Sequence, residues 1–139
     1  GSPDHVRGGF WDTYWTSAIV AAAQQCPCVC DDLIDATHEP QGIYGVSLFV
    51  DGAWQLVNVD GHLPCFKRAA AGSAAQWQLL FGSPYDHTEV WASVVFKAHV
   101  KVSGGSYEVA TARGLGPLLG HVLGARDART VPLSGLRGE

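Results

Sequence analysis

The alternation of apolar and polar positions divides the chain into a helical start, a stranded middle and a helical second half. From Asp12 onward, Trp15, Ala18, Ile19, Ala22 and Ala23 recur at helical spacing and share one face. Asp12 or Thr13 can cap that helix, Ala21-Ala22-Ala23 keeps it slim enough to pack closely, and Pro27 ends it. A second short helical piece is expected near Asp31–Asp35. Then Ile43–Val50 and Trp54–Val59, rich in β-branched and aromatic residues, flank Asp51-Gly52. Two such runs around Asp-Gly predict a hairpin with a type I′ turn or a close variant. Asp60-Gly61 opens another turn that Pro64 closes, and Trp77–Phe81 reads as a further strand. Thr88, with Glu89 in the first turn, predicts a helix running to about Lys101, with Val90, Trp91, Val94, Val95 and Ala98 on one face. Ser103-Gly104-Gly105 breaks it; a short segment at Ser106–Ala110 and a weak helix at Leu115–Leu123 follow. The pattern predicts an α+β single domain, with Trp15, Trp54 and Trp91 all in the core.

Composition narrows the class. The 139 residues are 47% apolar and 16% charged, enough to bury a core and unlike a disordered chain. The nine Lys and Arg are scattered and the net charge is −4, which excludes a nucleic-acid footprint. No apolar run approaches the roughly 20 residues of a membrane span. Gly1-Ser2-Pro3, without an initiating Met, reads as a cleavage scar on an excised domain. Residues 1–9 are expected to be tag remnant and lead-in, 10–125 the folded domain, and 126–139 a fraying tail. Cys26, Cys28 and Cys30 are too dense for a disulfide scaffold. They read as reduced thiols, with a zinc site completed by Cys65 or a His as the alternative.

Three blocks in order carry a resemblance. Thr13-Tyr14-Trp15-Thr16-Ser17-Ala18-Ile19 is one; Gly42-Ile43-Tyr44 through Asp51-Gly52-Ala53-Trp54 to Val59-Asp60-Gly61-His62-Leu63-Pro64 is the second. Glu89-Val90-Trp91 through Lys97-Ala98-His99-Val100-Lys101 to Gly105-Ser106-Tyr107-Glu108 is the third. Over about residues 8–125 they resemble the first of the two subdomains of the calpain-type, papain-like cysteine protease core. In that family the pattern Gln-Gly-x-x-Gly-Asp-Cys-Trp leads into an Ala-rich helix, with Trp15 of the first block at the position of its Trp, and the catalytic His and Asn belong to the second subdomain.

The resemblance places Tyr14 at the nucleophile position and Gly8 at the position of the Gln that donates to the oxyanion. Papain-like catalysis needs a thiolate, an imidazole and oxyanion donors; a phenol that titrates near ~10 is no substitute for a thiol. Cys26 lies roughly 18 Å further along the helix by the 1.5 Å rise and cannot replace a residue at its start. His62, His87, His99 and His121 read as surface or packed histidines rather than relocated bases, and 139 residues leave no room for a second subdomain. Glu108 matches a position implicated in calcium binding in the family. Its acidic partner is unmatched, and calcium takes about six to eight oxygens; no cofactor is therefore expected, with calcium at Glu108 the alternative. What the resemblance implies is a pseudoprotease, catalytically inactive. It would bind protein partners within a larger intracellular protein, with the cytoskeleton or flagellum as its setting. The alternatives are the substrate-binding half of a protease completed elsewhere, and a Cys-cluster metal module.

Overall fold

The computed structural model describes residues 6–7, 13–25, 29–68, 74–81, 83–84, 90–112 and 115–124. In chain order the elements are β1 (Val6–Arg7), α1 (Thr13–Gln25), α2 (Val29–Leu33), β2 (Ile34–Asp35), a 3₁₀ turn (Glu39–Gln41), β3 (Ile43–Val50), β4 (Ala53–Asp60), β5 (Cys65–Arg68), β6 (Gln76–Leu79), β7 (Ser83–Pro84), α3 (Trp91–Val102), α4 (Tyr107–Ala112) and α5 (Leu115–Leu123). The fold is α+β, as the pattern predicts.

The central sheet has the order β2-β3-β4 and is antiparallel, while β1 pairs with β7 and β5 with β6 in two small ribbons. The β3–β4 hairpin turns at Asp51 and Gly52, whose φ values of 52° and 85° are both positive. That is the type I′ geometry, whose twist matches the flanking strands and which Asp-Gly tolerates at low cost. The register follows, with Val46 opposite Val57 and Phe49 opposite Trp54. Cross-strand partners share a face. Val46, Leu48, Val57 and Val59 are buried toward α3 and α5, both of which lie against the sheet.

Several elements depart from the expected boundaries. The second helical piece is Val29–Leu33, and Ile34-Asp35 turns extended to pair with β3. The helix expected from Thr88 begins at Trp91 with Val90 as its cap and no side-chain capping bond; Thr88 and Glu89 lie outside the described residues. It is also not amphipathic in one stripe. Every residue but Lys97, Lys101 and Val102 is buried, because α1, the sheet and α4 all pack against it. Ser93, one of two polar residues in that buried set with His99, donates its hydroxyl to Phe81 O at 2.6 Å. The strand at Cys65–Arg68 has no counterpart in the predicted pattern. Its partner, expected at Trp77–Phe81, is Gln76–Leu79.

Trp15 and Trp91 are in the core, but Trp54 is not: it is more than half exposed. The period-2 geometry of β4 explains this. Val57 and Val59 occupy the inward positions, so even-numbered Trp54 and Leu56 project the other way. Pro117 lies in the first turn of α5, where a missing N–H costs nothing, and Leu118 and Val122, four apart, bury that helix.

Candidate functional site

Tyr14 is the second residue of α1. Its neighbour Trp15 fixes this end of the helix to α3, stacking on Phe96 with ring centroids 4.7 Å apart and an interplanar angle of 25°. His99 lies parallel to the same indole at 6.5 Å. The helix start is therefore held by a layered aromatic contact. Trp15 Nε1 is buried and finds no acceptor among the described residues.

Behind Trp15, His99 of α3 and His121 of α5 face each other with Nδ1 atoms 3.0 Å apart. One facing nitrogen must donate and the other accept, so the pair holds one proton between its rings. Ser103 Oγ stands 3.5 Å from His99 Nε2. His99 is buried and His121 half-buried, so both are packed histidines. His87 lies outside the described residues.

A second polar constellation closes the end of the hairpin. Lys97 Nζ donates to Asp60 Oδ1 at 2.7 Å, to Asp60 O at 3.1 Å and to His62 O at 2.6 Å. One turn along, Lys101 Nζ donates to Asn58 O at 2.7 Å. Asp60 Oδ1 also accepts from the His62 backbone N–H at 2.7 Å and lies 2.9 Å from His62 Nδ1. Two lysines four residues apart thus staple α3 to the outer carbonyls of β4. The Lys97 hydrogen bond, then the two contacts from His62, hold the Asp60 carboxyl well below the usual carboxylate range. Beside this staple a cleft of about 460 Å³ opens between β4, α3 and Tyr107. Burial, and secondarily the Asp60 charge, pushes the Tyr107 phenol up.

The staple has a pH consequence. A carboxyl whose folded pKa is depressed contributes stability that is present above its unfolded value of about 3.9 and is lost as pH falls through the folded value. Thermal midpoints followed by circular dichroism should fall below about pH 4 more steeply for the natural chain than for Asp60→Asn. Parallel pH profiles would refute the assignment.

The other sequence-derived candidates are dispersed. Gly8, Cys26 and Cys28 lie outside the described residues. Cys30 falls in α2. Glu108 is exposed in the first turn of α4, and Thr111 Oγ1 donates to its backbone carbonyl at 2.9 Å. Among the described residues no group of three His, Cys, Asp or Glu side chains could hold a metal ion. Cys65 is an exposed free thiol on β5. The lysine staple and the histidine pair were not foreseen. The i, i+4 spacing of Lys97 and Lys101 hinted at a shared face, but nothing local pointed to β4.

The sequence profile of the calpain family cysteine protease matches residues 2–122. The chain belongs to the calpain family. It is 31% identical over 107 residues, 77% of its length, to the calpain-type cysteine protease DEK1 of Zea mays and to the calpain-type cysteine protease ADL1 of Oryza sativa subsp. japonica. It is 28% identical over the same length to DEK1 of Arabidopsis thaliana. The chain spans only 4–5% of the length of these relatives. No solved structure matches it. Both constellations, the aromatic anchor behind Tyr14 and the staple at Asp60, fall inside the calpain match. Among the described residues of this calpain core no helix is long and apolar enough to cross a membrane.

Proposed function

We propose that this calpain-type domain is non-catalytic and acts as a protein-interaction or scaffolding module of a larger protein, a pseudoprotease inside the cell at the cytoskeleton or flagellum. The observation that carries this reading is Tyr14. It stands where the family's cysteine is expected, at the start of a helix whose next residue, Trp15, is buried in the core. A phenol with an ordinary pKa near ~10 does not supply a nucleophile at neutral pH. Gly8, at the position of the oxyanion Gln, has no side chain to donate. The fold-bearing residues around the position persist while the chemistry-bearing ones differ, which fits a surface kept for binding.

The test uses the full-length protein with a peptide substrate, before and after thiol alkylation. No alkylation-sensitive cleavage is expected. Cleavage that alkylation removes would instead support a second reading, a substrate-binding half of a cysteine protease completed by regions outside this chain. The plant relatives are calpain-type cysteine proteases, which favours that alternative. The third reading, a zinc module on Cys26, Cys28 and Cys30, predicts stoichiometric metal in the purified protein; metal analysis finding none removes it.

A further inference from the structure

The outward face of the β3–β4 hairpin carries more apolar surface than a solvated sheet face needs. Ile43, Trp54 and Leu56 are 44%, 55% and 56% exposed. The register places them on one face: Ile43 is opposite Asp60, Gly45 opposite Asn58, Ser47 opposite Leu56 and Phe49 opposite Trp54. Phe49 and Trp54 meet edge to face at 5.6 Å. Leu56 reaches across to Gly45, where a Cβ would lie 2.9 Å from Leu56 Cδ1 and 3.3 Å from Asp35 Cβ. The missing side chain at Gly45 lets Leu56 lie flat and join the Trp54 end of the strip to the Ile43 end.

The rim of this strip is acidic. Asp35 borders Leu56 at the β2 edge, and Asp51 sits at the hairpin tip beside the Phe49–Trp54 pair. Both are exposed, and among the described residues neither is paired with a lysine or arginine. Lys97 and Lys101, which line a cleft with Ile43 at the strip's far end, already donate to Asp60 and to β4 carbonyls. Asp35 Oδ1 accepts from the Thr37 backbone N–H at 2.9 Å and from the Thr37 hydroxyl at 2.5 Å, which orient the carboxylate without neutralising its charge. An apolar strip bracketed by carboxylates that meet no lysine or arginine among the described residues is complementary to a segment with an apolar stripe flanked by lysine or arginine.

We propose that the outward face of the β3–β4 hairpin docks a basic amphipathic segment of a partner protein, with Leu56 and Trp54 as anchors and Asp35 and Asp51 as charge partners. The assignment rests on the reading of the domain as an interaction module. The two fail separately, since cleavage by the full protein removes that reading and a binding measurement alone decides this one.

The experiment is titration calorimetry of the 139-residue chain with an 18-residue amphipathic helical peptide of leucine and lysine, against a leucine and glutamate counterpart. The lysine peptide binds about tenfold tighter or more, and the preference shrinks with added salt. Leu56→Lys weakens it by about tenfold. Asp35→Asn with Asp51→Asn removes most of the preference between the peptides, and Trp77→Ser, an exposed aromatic on another ribbon, changes nothing. Circular dichroism confirms that these surface variants stay folded. Equal binding of the two peptides, full affinity in Leu56→Lys, or an equal loss in Trp77→Ser overturns the proposal. So does a rise in affinity when residues 125–139 are removed. These follow Gly124, whose Cβ position would lie 3.0 Å from the Trp54 ring, and such a rise would make the chain's own tail the occupant.

Discussion

Phe96→Ala lowers the unfolding free energy by about 3–5 kcal/mol, the range for deleting a buried aromatic ring. Among the described residues Phe96 is the largest fully buried side chain. It joins four parts of the fold: Trp15 of α1 at 4.7 Å, Phe81 beyond β6 at 4.8 Å, Tyr107 of α4 at 5.8 Å, and His99 of its own helix at 6.2 Å. Alanine removes the transfer free energy of the ring and leaves a cavity that four separately anchored groups cannot close. For a domain whose total stability lies within about 5–15 kcal/mol, a loss of that size populates the unfolded state. Chemical denaturation measures it. Trp77→Ala is the internal control. Its ring is two-thirds exposed and touches Lys67 at 5.8 Å, so its removal should fall within about 0.5 kcal/mol of zero. Equal losses in the two variants would mean that the layered aromatic core is not what holds the helices together.

Trp15→Ala should cost a similar amount, about 3–5 kcal/mol, and it bears directly on why the chain retains tryptophan beside Tyr14. The indole is stacked between helices and ties the first turn of α1 to α3. Trp15→Phe separates packing from polar function. It keeps a ring against Phe96 and gives up an N–H that has no acceptor among the described residues, so the loss should stay below about 1.5 kcal/mol. A large cost for Ala with a small one for Phe identifies Trp15 as a packing residue. A large cost for both would show that the indole N–H has a partner, and would weaken the view that this position is kept for folding.

Much of the architecture was legible because it depends on near neighbours. Asp51-Gly52 with its flanking β-branched residues located the hairpin to within a residue, since a type I′ turn requires two positive φ values that few dipeptides accept. The alanine face of α1 and the glycines after Val102 marked helix limits in the same local way. The start of α3 was less legible, because no side chain caps it and burial rather than capping stabilises it. Trp54 was misassigned to the core, because a tryptophan's size says it should be buried while the parity of β4, set by Val57 and Val59, turns it outward.

By itself the sequence determined the α+β class, the membership in the calpain family, the hairpin register and the presence of Tyr14 at the start of the first helix. Each follows from side-chain chemistry at fixed short separations along the chain. The tertiary structure alone decided the pairing of His99 with His121 across 22 residues, the reach of Lys97 and Lys101 back to β4 across 37 to 43 residues, and the exposure of the Ile43–Trp54–Leu56 face. Those contacts join elements whose relative placement comes from burying a shared core. No local preference encodes the distance between two side chains that the core brings together.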